Sequence, residues 1–213
     1  MSQLADALAS LDEDEVAKLV HEKINAGIDA MSILNECRNG MDIVGERYKS
    51  GEYFLSELVV SGEIFKESMK VIEPHLKAGK QADTLAKMVL GTVKGDIHNI
   101  GKDIVNVLLR AAGFEVYDLG VDVEPRIFVE KLVETEALIL GMSGLLTPSF
   151  ESMKETVEAV EAAGLRDKVR IIVGGGVVTE LVGKYVGADR FTSDGLKGVE
   201  ICKEFARDLK EEK

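Results

Sequence analysis

One heptapeptide, Gly95-Asp96-Ile97-His98-Asn99-Ile100-Gly101, constrains this chain more than any other stretch. Residues 85–93, just before it, are mostly apolar and predict a buried strand. Residues 102–112, just after it, place Ile104, Val105, Leu108 and Leu109 on one helical face and stop at Gly113. The heptapeptide is therefore a strand-to-helix turn. In open parallel sheets, ligands bind at the carboxyl ends of strands. An imidazole placed there, with a carboxylate two residues earlier, can reach outward and hold something large by one ring nitrogen.

From residue 84 onward, strand and helix patterns alternate to the end. Strands are expected at 85–93, 114–119, 137–142, 169–173 and around 189–192. Helices are expected at 101–112, 125–134, 148–163, 178–186 and 195–209. Pro125 and Pro148 stand where first helical positions are expected, and Gly113 and Gly164 where helices end. Five strands in βαβ succession predict an α/β fold with a parallel, doubly wound, flavodoxin-like or Rossmann-like sheet.

Residues 1–80 read differently, as helix throughout. After a short amphipathic piece from Leu4 to Leu11, Asp12 and Asp14 are candidate caps for a helix bearing Val16, Leu19, Val20 and Ile24. A second helix carries Ile33, Leu34, Met41, Ile43 and Val44, and an aromatic corner follows at residues 48–54. A third helix carries Leu58, Val59, Ile64, Phe65, Met69, Val71 and Ile72 and ends near Pro74. Short segments with short turns predict a small antiparallel bundle. Polar residues 78–83 read as the linker, so the expected domains are 1–80 and 84–213.

The net charge of −12 over 213 residues, with no basic stripe to offset it, weighs against nucleic acid or an anionic membrane as partner. Cys37 and Cys202 are far apart and lack metal-ligand spacing, which predicts buried thiols rather than a disulfide framework. No apolar run reaches the roughly 20 residues of a membrane span, and the N-terminus lacks a basic-then-apolar signal pattern. A cytoplasmic location is expected.

Three strand-to-helix loops have unusual composition: residues 96–101 after the first strand, 143–149 after the third, and Gly174-Gly175-Gly176 after the fourth. In strand order 2-1-3-4-5 all three would edge one crevice. One brings a ligating side chain, one brings hydroxyls, and one brings bare backbone against which a ligand can pass closely. Each also has a plain structural explanation. A loop histidine is commonly a surface residue. Residues 174–176 suit a flexible turn or part of a phosphate cradle, although G-x-G-x-x-G is missing after the first strand. Ser143 and Thr147 suit helix capping, and Ser149 a solvent-facing hydroxyl. Their coincidence favours a bulky ligand inserted into the sheet edge.

Asp96-x-His98-x-x-Gly101, followed by Ser143-x-Leu145 and Gly174-Gly175, resembles the signature of cobalamin-binding domains. Residues 95–102 and 141–149 resemble the same loops of cobalamin-dependent methionine synthase. Residues 45–55, Gly-Glu-Arg-Tyr-Lys-Ser-Gly-Glu-Tyr-Phe-Leu, resemble that enzyme's helical cap. A cap plus a cobalamin domain is similar to the stand-alone corrinoid proteins of methyltransferase systems, and the resemblance covers about residues 12–210.

The resemblance implies a cobalamin or related corrinoid as cofactor, with His98 as lower axial ligand to cobalt in place of dimethylbenzimidazole. Asp96 would bond the other imidazole nitrogen and Ser149 would extend that relay. Ile97, Asn99, Ile100 and Gly101 complete the loop against the cofactor. Ser143 and Thr147 would line the slot for the displaced nucleotide arm, Leu145 would pack beside them, and Gly174 and Gly175 would let the arm pass. Tyr48 and Leu55 would cover the methyl-bearing face, or else serve as bundle core. The family's cap often has Phe at the place of Tyr48 and Pro at that of Ser56. A carboxylate behind a ligating imidazole fixes its tautomer and raises its basicity. Strong donation to cobalt favours the methylated state and weak donation favours cobalt(I).

The function implied is a methyl carrier without turnover of its own. Its cobalt(I) would take a methyl group through a substrate-specific methyltransferase. Its methyl would leave through a second methyltransferase, to tetrahydrofolate or coenzyme M. A reductive activation protein is the third implied partner. Donor classes in the family are methylamines, methanol, betaines and methoxylated aromatics. A cobalamin-binding sensor is the alternative, less suited because this acidic N-terminal part shows no DNA-binding segment. The cobalamin subunit of a carbon-skeleton mutase would leave residues 48–55 without a role, and a flavodoxin-like or receiver module would leave His98 without one.

Overall fold

A computed structural model of the chain describes residues 2–75 and 84–211. The expected linker at residues 78–83 lies outside them. The chain divides into two compact units, Met1–Asp83 and Thr84–Lys213.

The first unit is helical: α1 Gln3–Ala9, α2 Glu13–Asn25, α3 Ala30–Lys49 and α4 Leu55–Ile72, with a single 3₁₀ turn at Glu73–His75. Each of the first three helices begins at a side-chain cap. Ser2 Oγ accepts from the Ala5 N–H, Asp12 from Glu15 and Asp29 from Ser32, which satisfies donors that a helix start leaves open. Of the two candidate caps for α2, Asp12 takes the role and Asp14 sits in the first turn. Leu4, Leu8, Val16, Val20, Ile33, Cys37, Val44, Phe65 and Ile72 are buried as the core of this unit. The corner after α3 is fastened by Tyr53, whose hydroxyl donates to the Ala9 carbonyl at 2.7 Å, and by Arg47, which donates to the same carbonyl at 2.6 Å.

The second unit holds a five-stranded, all-parallel sheet in the order β2-β1-β3-β4-β5. The strands are β1 Lys87–Thr92, β2 Glu115–Asp118, β3 Ile139–Ser143, β4 Arg170–Gly174 and β5 Arg190–Thr192. The helices are α5 Ile100–Ala111, α6 Pro125–Thr135, α7 Ser149–Ala162, α8 Glu180–Val186 and α9 Gly195–Glu211. The expected order and elements are present; every strand starts one or two residues later than expected, and β3 and β4 run one residue further. Pro125 is the first residue of α6, as its fixed φ favours. Pro148 precedes α7 rather than opening it. Gly113, at φ +96°, turns the chain out of α5 where a side chain would be strained.

Side chains alternate across the sheet. Val89, Leu140, Met142, Ile171 and Val173 join the core with Phe128 and Leu132 of α6 and Met153 and Val157 of α7. Met88, Leu90, Gly141 and Ile172 belong to the opposite face, and Met88 Sδ lies 4.0 Å from Cys202 Sγ on α9. The sheet is thus covered on both faces, as parallel sheets require, and only its strand ends are left for a site.

Gly91 lies opposite Phe128, where a Cβ would approach two ring carbons at 2.8 and 2.9 Å. Phe128 is fully buried and cannot yield. Gly91→Ala is expected to lower stability by about 1–3 kcal/mol, read as a reduced urea midpoint at unchanged slope.

Candidate cofactor-binding site

β1 ends at Thr92, and the chain then turns through Gly95 at φ +79°. The turn is clasped from the β2 side. Asp122 accepts from the Gly95 N–H at 2.7 Å, and its own N–H donates to the Asp96 carbonyl at 3.0 Å. Thr92 Oγ1 donates to the His98 carbonyl at 3.2 Å. The loop is held by its neighbours before α5 begins at Ile100.

Asp96 is fully buried, 0% exposed, and all its contacts are donors. Oδ1 accepts from the His98 backbone N–H at 2.9 Å and sits 2.7 Å from His98 Nδ1. Oδ2 accepts from the Leu145 and Leu146 N–H groups at 2.6 and 3.1 Å and from Ser149 Oγ at 2.7 Å. Burial alone would push this carboxyl up. The His98 and Leu145 N–H groups, the Ser149 hydroxyl and the His98 ring outweigh burial and hold it well below the usual carboxylate range. An ionised carboxylate only accepts, so His98 Nδ1 carries the proton and the Nε2 lone pair is free. The His98 side chain is 48% exposed. Nε2 has no hydrogen-bond partner among the described residues.

Among those residues no group of three or more His, Cys, Asp or Glu side chains is placed to hold a metal ion. A metal at His98 Nε2 must therefore bring most of its own ligands, as a macrocycle does. The surface around the ring suits a flat apolar partner. Ile97 and Ile100 are 72% and 73% exposed, and Leu145, Leu146, Val121 and Val177 are exposed on the loops after β3, β2 and β4. Large side chains left open in this way mark a binding surface.

Beside the histidine loop a cavity of about 160 Å³ enters the sheet face covered by α5 and α9. It is bordered by Gly101 and Ser143 and by Gly174, Gly175 and Gly176. Whole-ligand pockets run roughly 300–1,000 Å³, so this one suits an appendage of a larger ligand.

The structure sorts the site residues expected from sequence. Asp96, His98, Leu145 and Ser149 come together directly. Ser149 is buried against Asp96 and does not face solvent. Ser143 lines the cavity, whereas Thr147 is exposed and outside its lining. Neither caps α7, which has no side-chain cap at its start; the nearby Leu145 and Leu146 N–H groups go to Asp96. Gly174 and Gly175 both line the cavity, but Gly175 has a further reason to be bare. At φ +142°, its Cβ would collide with the Gly144 carbonyl oxygen. Asn99 is exposed and donates to Asp103. Tyr48 is half-buried on α3 and Leu55 opens α4 with 55% exposure, both within the helical unit.

Sequence reasoning missed Lys102. Its side chain is buried, with Nζ 2.7 Å from Asp103 and 2.5 Å from Asp118, which ties the start of α5 to β2. A lysine directly after the site glycine reads as a surface charge, and only the carboxylate sixteen residues later hinted otherwise. Gly141 was also missed. It sits in the central strand, and a Cβ there would strike Met88 Cε.

The chain is similar to known proteins over nearly its whole length. The B12 binding domain family matches residues 86–195, and a second B12 binding domain family matches residues 1–73. Trimethylamine corrinoid protein 1 of Methanosarcina acetivorans is 37% identical over 193 residues, spanning 90% of this chain and 89% of its own. A cobalamin-binding protein of Desulfitobacterium hafniense DCB-2, known from a crystal structure, is 43% identical, covers 94% of this chain and 96% of its own, and aligns with a TM-score of 0.73. The methanol:cobalamin methyltransferase complex MtaBC of Methanosarcina barkeri contains a chain 25% identical, covering 96% of this chain and 78% of that one, with a TM-score of 0.84.

The Asp96 contacts make a testable unit. Asp96→Asn turns one acceptor oxygen into a donor facing donors and is expected to cost about 2–4 kcal/mol; Ser149→Ala is expected to cost about 1 kcal/mol. Because the folded carboxyl titrates below its unfolded value of about 3.9, its contribution is full above about pH 4 and is lost as pH falls further. The stability gap between wild type and Asp96→Asn, measured by denaturant unfolding, should shrink as the pH falls below 4.

Proposed function

Because this chain belongs to the B12-binding corrinoid proteins, we propose that it carries a methyl group from a substrate-specific methyltransferase to a second methyltransferase. Its cofactor is a corrinoid, and the residues fit one: a free imidazole nitrogen, an apolar rim and a cleft for an appendage. When bound, the corrinoid supplies a cobalt that accepts a methyl group in its reduced state and releases it to a second acceptor. In this reading His98 Nε2 would hold that cobalt. Asp96 fixes the Nδ1–H tautomer and the orientation of the ring, and Ser149, with the Leu145 and Leu146 N–H groups, holds Asp96 ionised. Ile97, Asn99, Ile100, Gly101 and Leu145 form the surface for the corrin plane. Ser143, with Gly174 and Gly175, would border the path of the nucleotide arm inside the cleft, and Thr147, exposed outside the lining, would meet the arm only beyond it. Tyr48 and Leu55 shield the methyl-bearing face.

The observation that carries the reading is the division of labour on one imidazole, Nδ1 committed to a buried carboxylate and Nε2 free. The related chains are a trimethylamine corrinoid protein and a partner in a methanol:cobalamin methyltransferase complex. From these, the donor is proposed to be a small methylated amine or alcohol. The final acceptor is proposed to be tetrahydrofolate or coenzyme M, and reactivation the work of a separate reductive protein. Turnover of a donor by this chain alone is not expected.

The test is electron paramagnetic resonance of the ¹⁵N-labelled protein loaded with unlabelled cobalamin and reduced by one electron. Coordination by His98 gives a doublet splitting from a ¹⁵N nucleus. Retention of dimethylbenzimidazole gives a triplet from ¹⁴N and would overturn the assignment. His98→Ala should lose the doublet and hold the pigment less tightly on gel filtration.

A further inference from the structure

The cleft between the sheet and α5 and α9 changes chemistry with depth. Strand register puts Ser143, Gly174 and Thr192 on one rung at the carboxyl edge. Leu90, Gly141 and Ile172 form the rung two residues further in, and Met88 lies two residues deeper on β1. At about 3.3 Å per residue, the cavity walls run roughly 13 Å along the strands.

The outer end is polar. Lys102, Ser143, Ser193 and Asp194 all border it. The inner end is not. Its walls are Met88, Leu90, Val105, Gly141, Ile172 and Cys202. The Cys202 thiol is pushed up to about 12 by burial and is therefore neutral, and its Sγ lies 4.0 Å from Met88 Sδ. Sulfur of either kind is a weak hydrogen-bond partner. The peptide groups of β1, β3 and β4 at this depth lie within paired strands. Gly141 and Gly198 line the cleft without side chains of their own, and Met88 Cε and Leu90 Cδ1 occupy the place of a Gly141 Cβ, so the inner wall there is theirs.

Resting on the reading that the nucleotide arm enters this cleft, we propose that its inner half selects corrinoids by the terminal base of the arm, accepting an apolar aromatic base of the benzimidazole type and disfavouring a purine. Dimethylbenzimidazole presents a carbon edge with two methyl groups, which these walls cover at no polar cost. Adenine presents ring nitrogens and an exocyclic amine. Seated among Met88, Leu90, Ile172 and Cys202, those groups lose water and gain no partner, and each unpaired buried group costs affinity.

The test is a visible-absorbance titration of the full chain, freed of corrinoid, with three ligands. They are cobalamin, the same corrinoid carrying adenine in place of dimethylbenzimidazole, and cobinamide, which has no nucleotide arm. Cobalamin is expected to bind at least about tenfold more tightly than the adenine form. Met88→Gln and Cys202→Ser place polar groups on the inner wall and should bring that ratio toward one, with cobinamide affinity unchanged as the sign that the fold is intact. Equal affinities for the two armed ligands, or a ratio unmoved in both variants, would overturn the selection. The nitrogen splitting of the ¹⁵N-labelled protein separates the two possible failures. A doublet with both ligands at equal affinity sinks the selection alone, whereas a base still on its own cobalt sinks the function reading with it.

Discussion

A carboxylate cut off from water must be met by donors or give up its charge, and Asp96 is met by five. They come from two loops about fifty residues apart in the chain. The β1 loop supplies the carboxylate and the His98 groups; the β3 loop supplies two peptide N–H groups and the Ser149 hydroxyl. Neither loop can shift without stranding the charge. The contact therefore sets the spacing of β1 and β3 at their carboxyl ends, the orientation of the imidazole and the mouth of the cleft together. The Gly175 backbone then lies against the Gly144 carbonyl, which adds the β4 loop to the same unit.

The rest of the α/β unit supports that junction. Helices cover both faces of the sheet, so the only surface offering converging loops is the strand ends. Lys102 and Asp118 draw the start of α5 onto β2, and Asp122 closes the turn at Gly95. The helical unit has its own core and its own fastening, with Arg47 and Tyr53 both on the Ala9 carbonyl. Phe54 and Leu55 just beyond that fastening stay exposed.

Much of this was legible in the chain because it rests on periodicity and punctuation. Alternating strand and helix patterns with Gly113 and Gly164 at helix ends gave the element order, and the strand order observed is the flavodoxin-like one considered for such a succession. Asp96 and His98 were legible because they share one turn. Less legible was anything depending on a contact across the fold. Ser149 looks like an ordinary first-turn serine until β1 and β3 pair, and Lys102 looks like a solvated charge until Asp118 arrives. Gly175 looks like slack in a loop, when its neighbour is the Gly144 carbonyl. Pro148 was placed one residue too far into its helix, since a proline just before a helix reads almost the same as one at its first position.

Gly141 has a consequence for the life of the chain. The cleft that Gly141 borders leaves part of the sheet face under α5 and α9 unfilled, and hollows of this kind weaken a fold. Whatever fills the hollow from the strand ends returns that stability by mass action. A copy carrying its passenger should then outlast a copy without one wherever proteases sample open forms. The supply of pigment would thereby govern how much of this polypeptide persists.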